Sequence, residues 1–307
     1  METKQSSFLR KLKKNNGLIL LALPAVLFII VFNYIPLYGL VLPFKDFKYD
    51  RGFFGSDWIG LANFKFLFNS SDIFVATVNT FMYNLIFILL GSFLSVTVAI
   101  MLFELSKSMT KIYQTIMFFP YFLSWVIVAY IVMALLDMDN GVFNKILVNL
   151  GRESVMWYSD PKPWPGIIIF VAVWKGLGYG SVIYYAAIMG FNSEYYEASM
   201  IEGASRFQQV LYITVPLLKR LIIMMTMLQL GRIFYSDFGL FYYVPRNSSL
   251  INSATSVIDT YVYKTLRVSG DIAMSSAAGF YQAVVGFLFV VTSNAILRKV
   301  SRESAIF

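Results

Sequence analysis

The chain has 307 residues, of which 58% are apolar and only 14% are charged, so its composition excludes an ordinary soluble domain. It contains no Cys and no His, which excludes disulfides, thiolate metal sites, most zinc sites and any Ser-His or Cys-His catalytic pair. The net charge of +8 does not indicate nucleic-acid binding, because the basic residues stand at the ends of apolar runs, where they select membrane topology.

Six apolar runs exceed the length of about 18 residues that a membrane span requires, so we predict an integral membrane protein. The first run follows a basic N-terminal stretch and is longer than the core of about 7 to 15 residues found in signal peptides, so we expect it to be retained. Pro120 lies inside the third run, where its missing N–H must be compensated by neighbours or by a local kink. The expected spans are 17–42, 73–105, 112–136, 166–190, 221–243 and 271–297.

The segments between the spans carry turn and interface signals. Residues 137–165 are hydrophilic, with a turn at Asp139-Asn140-Gly141, and we expect Trp157, Tyr158 and Trp164 in an aromatic belt at the membrane interface. Basic residues number 13 on the side of the termini and 10 on the other side, where the loops are much longer, which predicts cytoplasmic termini. The basic residues on the terminal side are Lys4, Arg10, Lys11, Lys13, Lys14, Lys107, Lys111, Arg206, Lys219, Arg220, Arg298, Lys299 and Arg302.

A polar stretch, residues 197–216, separates the fourth and fifth spans. Residues 197–202 are helix formers, Gly203 tolerates positive φ, Ser205 is a suitable N-cap, and Pro216 is expected to stop or kink the helix that follows. We therefore predict a short helix, a bend and a second short helix, all held outside the membrane.

The same stretch resembles the signature loop of the membrane subunits of binding-protein-dependent ABC importers, which reads Glu-Ala-Ala, three residues, Gly, nine residues, Ile-x-Leu-Pro. Ser199 replaces the second Ala and Val215 replaces the Leu. Residues 174–218 are most similar to oligosaccharide permeases of the MalF-like and LplB-like type. Residues 58–68 resemble the Trp-x-Gly-Leu-x-Asn-Phe element of such permeases, although an interfacial amphipathic helix explains them equally well. The positions that match the signature are Glu197, Ala198, Ser199, Gly203, Ile213 and Pro216.

This resemblance implies an all-α integral membrane fold with six transmembrane helices, the MetI-like permease fold of type I ABC importers. It implies three parts: a tail, first helix and extracytoplasmic segment over 1–72, a core permease domain over 73–298, and a cytoplasmic tail over 299–307. Within the core, a cytoplasmic coupling loop is expected over 193–220. The expected location is the bacterial plasma membrane.

The resemblance further implies a transport subunit of an ATP-driven carbohydrate importer, not an enzyme. The sequence has no Gly-x-x-x-x-Gly-Lys-Ser/Thr loop to hold ATP phosphates. We therefore expect no cofactor on this chain, with ATP and Mg²⁺ bound by partner ATPase subunits. The other expected partners are a second homologous permease in a heterodimer, an extracytoplasmic solute-binding protein and the carbohydrate itself.

By the same resemblance, the helix around 197–203 is the coupling helix, a stiff lever that docks on the ATPase. Glu197 would face basic groups of that partner or cap its own helix, and the two roles are compatible. Pro216 would set the entry into the fifth span. The expected coupling residues are Glu197, Ala198, Ser199, Glu202, Gly203, Ala204, Ile213 and Pro216.

Polar residues inside the spans indicate a translocation path, because a charged group there costs about 2.5 to 3.5 kcal/mol on insertion scales. Lys175 and Arg232 would meet an anionic glycan, or Arg232 would pair with Asp237 or a partner subunit, which we prefer. Trp174 resembles the sugar-stacking residue of oligosaccharide permeases; a belt or packing role is its alternative. For the three aromatics of the third span, Tyr121, Phe122 and Trp125, packing is the preferred interpretation. The full set of candidates is Asn79, Asn84, Tyr121, Phe122, Trp125, Trp174, Lys175, Gly176, Tyr179, Gln229, Arg232 and Asp237.

Other function classes remain as alternatives at this point. A permease for a non-sugar solute has the same architecture. A stand-alone secondary transporter or channel predicts an internal repeat or a pore-lining ring, and neither is visible in the sequence. A membrane-embedded transferase requires clustered acids or His at one interface, which the sequence lacks.

Overall fold

The computed structural model of the protein describes residues 15–300. The basic residues Lys4, Arg10, Lys11, Lys13, Lys14 and Arg302, on which part of the topology prediction depends, lie outside these residues. The helices are α1 (Asn16–Ile29), α2 (Gly52–Gly55), α3 (Ala62–Asn69), α4 (Ser71–Phe103), α5 (Lys107–Phe122), α6 (Trp125–Leu136), α7 (Val142–Asn149), α8 (Trp164–Met189), α9 (Glu194–Ile201), α10 (Arg206–Gln209), α11 (Val215–Leu230), α12 (Phe238–Tyr243), α13 (Asn252–Thr255), α14 (Ile258–Arg267) and α15 (Ile272–Val300).

Five segments are long and apolar enough to cross a membrane, and α5 with α6 makes a sixth if the bent pair counts as one span. The first span covers Asn16–Phe44, because α1 continues through a π turn at Ile30–Tyr34 and a 3₁₀ stretch at Ile35–Phe44. Four of the predicted spans, the first, second, fourth and sixth, agree with the structure to within a few residues. The predicted all-α six-span architecture is confirmed, with one two-residue antiparallel pair, β1 (Lys45–Asp46) and β2 (Asp57–Trp58).

The third predicted span is not one kinked helix. Its two halves, α5 and α6, are bent by 98°. The break falls at Leu123 and Ser124, beyond Pro120, and α5 continues through the proline. The Ser124 hydroxyl accepts from the N–H of Ile127 and starts α6 as its N-cap, which explains why the helix restarts at this residue.

The fifth predicted span begins about 15 residues too late and ends too late. A continuous helical run extends from Arg206 to Leu230, and the chain then breaks at residues 231–237, the break segment, before α12. Pro216 does not stop this run: it is the second residue of α11, directly after the π turn Val210–Thr214. The second half of the signature stretch therefore belongs to a span.

The centre of the bundle is the pair α4 and α8, which lie against each other over much of their length. One buried cluster at this interface contains Tyr83, Ile168 and Trp164. Trp164 is completely buried and its indole N–H donates to the carbonyl of Trp157, while Trp157 and Tyr158 pack on the same cluster. The completely buried Trp164 is therefore not part of an interface belt, whereas an interface position for Trp157 and Tyr158 stays a prediction.

The helix α8 also packs closely against α5. A Cβ atom at Gly178 would lie 2.1 Å from the carbonyl oxygen of Met117, whereas a Cβ atom at Gly176 would meet nothing within 4 Å. The backbones of α8 and α5 can approach this closely only because residue 178 has no side chain.

We expect Gly178→Ala to force α8 away from α5 and to lower the free energy of unfolding by about 1–3 kcal/mol, the usual cost of overpacking. Gly176→Ala is the matched control on the same helix and should leave stability unchanged or slightly raised. Thermal unfolding midpoints of the detergent-solubilised proteins measure the difference. Equal midpoints for the two variants would show that the close approach at residue 178 does not matter.

Candidate functional site

A cavity of about 970 Å³ opens between α4, the α5–α6 bend, α8, α11 and α12. It is lined by apolar and aromatic side chains together with a small number of polar groups, as ligand sites usually are. Several residues that the sequence indicated from separate spans meet here. The predicted path residues that line the cavity are Asn84, Tyr121, Phe122, Trp125, Lys175, Gly176, Tyr179, Gln229 and Asp237.

Aromatic rings form one wall of this cavity. The rings of Tyr121 and Tyr179 are stacked with centroids 4.7 Å apart and an interplanar angle of 8°. Phe118 lies beside both rings, at 5.7 and 6.2 Å. Both tyrosines are exposed to the cavity side of the bundle, so their faces and hydroxyls are accessible to a solute.

Lys175 is the cation of the cavity wall. Its ammonium group donates to the carbonyl oxygens of Pro120 at 3.3 Å and Tyr121 at 2.7 Å. It also lies 5.1 Å from the ring centroid of Trp125 and 5.6 Å from that of Tyr121. A cation is favourable at this position, because the last carbonyls of α5 have no partner within the helix and carry partial negative charge.

Trp125 and Asp237 connect the α5–α6 bend to the break segment. The indole N–H of Trp125 donates to one carboxylate oxygen of Asp237 at 2.8 Å, and the other oxygen accepts from the N–H groups of Gly239 and Leu240 as the N-cap of α12. A Cβ atom at Gly239 would lie 2.0 Å from the Trp125 ring. The indole is therefore held in a space that only glycine leaves open, and no local sequence pattern indicates this role for Gly239.

Three predicted path residues lie elsewhere. Trp174 is exposed and is not among the residues that line the cavity. Arg232 is exposed outside the cavity lining. The side-chain amide of Asn79 donates to the carbonyls of Ser253 and Ser256, so it holds a loop and does not face the cavity.

A pairing of Arg232 with Asp237 is not found among the described residues, while its pairing with a partner subunit stays a prediction. Among the described residues, the ion pairs are Lys48–Asp46, Arg51–Asp57 and Arg206–Glu104. The carboxylate of Asp237 is instead engaged by Trp125 and by the first turn of α12.

The predicted helix–bend–helix at the start of the signature stretch is confirmed. The helix α9 ends with Gly203 at φ +83°, and the N–H groups of Gly203 and Ala204 donate to the carbonyls of Met200 and Ser199 in a Schellman arrangement. The Ser205 hydroxyl accepts from the N–H of Gln208, whose side chain accepts from the N–H of Ser205, a complete capping box for α10.

Two side-chain contacts join the two helical arms of residues 194–214, the segment that we call the elbow. The hydroxyls of Tyr196 and Thr214 are 3.0 Å apart, and the side-chain amide of Gln209 donates to the Ser199 hydroxyl at 3.0 Å. Gln209 and Thr214 are buried. The sequence singled out Ser199 but not Tyr196, Gln209 or Thr214, because pairs that are 10 and 18 residues apart across the bend carry no local pattern. The elbow is therefore stiff as well as bent.

The outer surface of the elbow is exposed. Glu197 lies in the first turn of α9 with its side chain in solvent, so the capping role and the exposed-acid role both remain open. The most exposed apolar side chains are Ile201 at 89% and Phe207 at 75%, one on each side of Gly203. The remaining predicted coupling residues Ala198 and Glu202 are also exposed, Ala204 and Ile213 are half-buried, and Pro216 is exposed.

The elbow lies at one end of the bundle, beside the last turn of α4. The rings of Phe103 and Tyr196 are 5.7 Å apart, and Arg206 pairs with Glu104 just after α4. The first turn of α4 is about 50 Å away, given its 33 residues. There Asp72 lines a second cavity of about 680 Å³.

The second cavity is polar and includes Lys264 of α14. The Lys264 ammonium donates to the side-chain oxygen of Asn252 at 2.9 Å, and burial lowers the pKa of Lys264. The sequence indicated no site in this region.

Comparison with known families identifies the chain. The model of the family described as binding-protein-dependent transport system inner membrane component matches residues 88–302. The chain belongs to this family. It is thus a multi-pass membrane permease of the ABC importer class, and the match covers the elbow and all of the cavity lining except Asn84 and Phe87.

Two curated proteins of Bacillus subtilis (strain 168) are similar to this permease over nearly their whole length. Protein LplB is 32% identical over 298 residues, which are 97% of this chain and 93% of LplB. The polygalacturonan/rhamnogalacturonan transport system permease protein YteP is 29% identical over 301 residues, 98% of this chain and 93% of YteP.

Solved structures agree with these relatives. A chain from the crystal structure of a bacterial ABC transporter involved in the import of the acidic polysaccharide alginate superposes with a TM-score of 0.87 at 30% identity, covering 96% of the permease and 99% of that chain. A second structure, of the bacterial alginate ABC transporter in complex with alginate pentasaccharide-bound periplasmic protein, gives 0.85 at 29% identity, with coverages of 95% and 97%. The predicted MetI-like permease fold is confirmed.

We expect Gly239→Ala to expel the Trp125 indole and to remove its hydrogen bond to the Asp237 carboxylate, at a cost of about 1.5–3 kcal/mol in unfolding free energy. Acrylamide quenching of tryptophan fluorescence should rise, because the ring moves into the open cavity. Gly279→Ala is the control, since a Cβ atom there meets nothing within 4 Å. Unchanged quenching in Gly239→Ala would contradict the close packing of the ring.

Proposed function

We propose that this permease is the transmembrane subunit of an ATP-driven carbohydrate importer and that the 970 Å³ cavity is its translocation path. The single observation that carries the proposal is the likeness to proteins whose names specify carbohydrate transport. YteP is named for polygalacturonan and rhamnogalacturonan, and NgcF of Streptomyces coelicolor (strain ATCC BAA-471 / A3(2) / M145), 31% identical over 53% of the chain, is named for diacetylchitobiose uptake. The two solved structures concern alginate.

The chemistry of the cavity supports a sugar solute. Stacked tyrosine rings cover the apolar faces of pyranose rings, and their hydroxyls with the amide of Gln229 suit the sugar hydroxyls. In this proposal Tyr121 and Tyr179 contact the solute directly. A non-sugar solute remains the alternative, since the family has members of the same fold whatever the solute.

The geometry of the elbow supports a coupling role for residues 193–220. A lever must be stiff and must protrude, and this elbow is cross-linked by Tyr196 and Gln209 while it exposes Ile201 and Phe207. In the proposal these apolar side chains and Glu197 dock on a cytoplasmic ATPase subunit. Motion then passes along α11, which continues the elbow without interruption.

The proposed assembly contains this permease, a second homologous permease, two ATPase subunits and an extracytoplasmic solute-binding protein. ATP and Mg²⁺ are bound by the ATPase subunits, and no cofactor is bound by this chain. Both termini, with the elbow, lie on the cytoplasmic side of a bacterial plasma membrane. The three-part division at residues 72 and 298 is part of the same proposal.

Uptake by a strain that lacks and then regains this permease tests the solute class. We expect complementation to restore uptake of labelled oligosaccharides from a panel of oligogalacturonate, alginate oligomers, chitobiose and maltotriose, and Tyr179→Ala to lower that uptake about three- to tenfold through loss of stacking. Tyr130→Ala, an exposed tyrosine outside the cavity lining, is the control. Restored uptake of amino acids with none of the sugars would refute the carbohydrate assignment.

The coupling role is tested separately. We expect Glu197→Lys and Gly203→Pro to reduce solute uptake at least about tenfold while the protein remains in the membrane, because one reverses the charge of the docking face and the other removes the φ of +83° that shapes the elbow. Glu153→Lys, at an exposed acid outside residues 193–220, is the control. Uptake, membrane content by immunoblot and ATP hydrolysis are measured together, and full uptake in both variants would show that the elbow is not the lever.

A further inference from the structure

The break segment interrupts the fifth span in the middle of the bundle, where free backbone groups are costly. Its apolar residues Ile233 and Phe234 are buried against Ala76 and Ile258, whereas Arg232 and Tyr235 are exposed. Each carbonyl or N–H group released by the break therefore needs a partner from another helix.

Three polar side chains from three different helices supply those partners. The amide of Asn84 on α4 donates to the carbonyl of Ile233 at 2.8 Å, with the carbonyl of Tyr235 and the hydroxyl of Ser236 at 3.3 Å. The amide of Gln282 on α15 donates to the carbonyl of Phe234 at 2.6 Å.

Asp259 on α14 completes the set. Its carboxylate accepts from the N–H of Ser236 at 2.8 Å and from the amide of Gln282 at 3.1 Å. The sequence analysis nominated Asn84 as a solute contact and did not single out Asp259 or Gln282. All three side chains converge on the four residues that precede Asp237.

Asp237 is the last residue of the break segment. Among the described residues, it is the only one of this segment that forms a hydrogen bond to the bent third span. Its position decides whether the Trp125 indole finds its acceptor, and Trp125 starts α6 at the 98° bend. The shape of the cavity wall therefore depends on where the break segment is held.

We propose that Asn84, Asp259 and Gln282 are positioning residues that fix the break segment, so that Asp237 holds Trp125 and keeps the cavity wall in a form that transports solute. The role in transport rests on the proposed function. Asn84 borders the cavity, but its amide N–H groups are used by the break segment, so it acts through Asp237 and not by binding solute.

The chain offers a matched control on the same helix. Asn79 and Asn84 both lie on α4 and both donate to two backbone carbonyls, but the partners of Asn79 are Ser253 and Ser256, away from the break segment. A purely structural role would make the two asparagines equivalent. A positioning role makes only Asn84 report on Trp125.

The test uses the full chain labelled with 5-fluorotryptophan, which has five ¹⁹F resonances for its five tryptophans, with Trp125→Phe to assign the resonance of interest. Asn84→Leu, Gln282→Leu and the control Asn79→Leu are compared in nanodiscs. Thermal midpoints are recorded for each protein, and uptake of the oligosaccharide that the parent imports is measured in cells.

We expect Asn84→Leu and Gln282→Leu each to move the Trp125 resonance and to lower uptake about tenfold, the effect of losing one buried hydrogen bond, and Asn84→Gln to recover part of both. Asn79→Leu should lower the thermal midpoint alone. The proposal is overturned if Asn84→Leu and Gln282→Leu both leave the Trp125 resonance in place, or if Asn79→Leu moves it equally.

Gln282→Leu removes a hydrogen bond that comes from a different helix. It therefore tests the positioning role if Asn84→Leu does not fold. The resonance is recorded without solute, ATPase or binding protein. It therefore tests positioning even if the transported solute is not a carbohydrate, and a failed uptake assay alone would count against the proposed function instead.

Discussion

The structure depends on one constraint: in a membrane, each backbone N–H and carbonyl group must find a partner within the protein. Unbroken helices such as α4 satisfy this by themselves, but the third and fifth spans are interrupted next to the cavity. The side chains of neighbouring helices provide the missing partners. Lys175 serves the end of α5, and Asn84, Gln282 and Asp259 serve the break segment.

Because of this constraint, a polar residue inside the bundle has two possible roles: contact with a solute, and pairing with a free backbone group. A lysine in a span is costly, and the usual inference is that it faces a solute or a water-filled path. Lys175 does line the cavity, yet two of its donors are already used by α5 carbonyls. The same residue thus shapes the wall of the cavity and contributes charge to it. Polar residues of this kind mark the cavity because the interrupted helices that need them also form it.

Much of the architecture was predictable from the sequence. Apolar runs located four spans closely, and Gly203 with Ser205 located the bend of the elbow, because a positive φ and a capping box depend on neighbouring residues only. Helix interruptions were harder. Pro120 and Pro216 looked like break points, but the chain passes both and breaks at Ser124 and after Leu230, where partners distant in sequence hold the ends.

The sequence predicted many of the residues that line the candidate site but not the contacts between them. Charge and aromatic character nominated Lys175, Tyr121 and Asp237 correctly as neighbours of one cavity. They also nominated Trp174, which is not among the residues that line the cavity. The role of Gly239 depends on a ring from residue 125, more than a hundred positions away, and no local pattern encodes such a contact.

The π turn at Val210–Thr214 has a consequence for the direction in which the elbow points. One extra residue in a helix changes the angle between the segments on either side by about 100°, because a helix has 3.6 residues per turn. The number of residues between Gly203 and Pro216 therefore sets the rotation of the segment before Gly203 about the axis of α11. Removing a single residue there would rotate Ile201 and Phe207 by about a quarter of a turn around the axis of α11. The direction in which Ile201 and Phe207 point from the bundle therefore depends on the number of residues in this stretch, not on which residues they are.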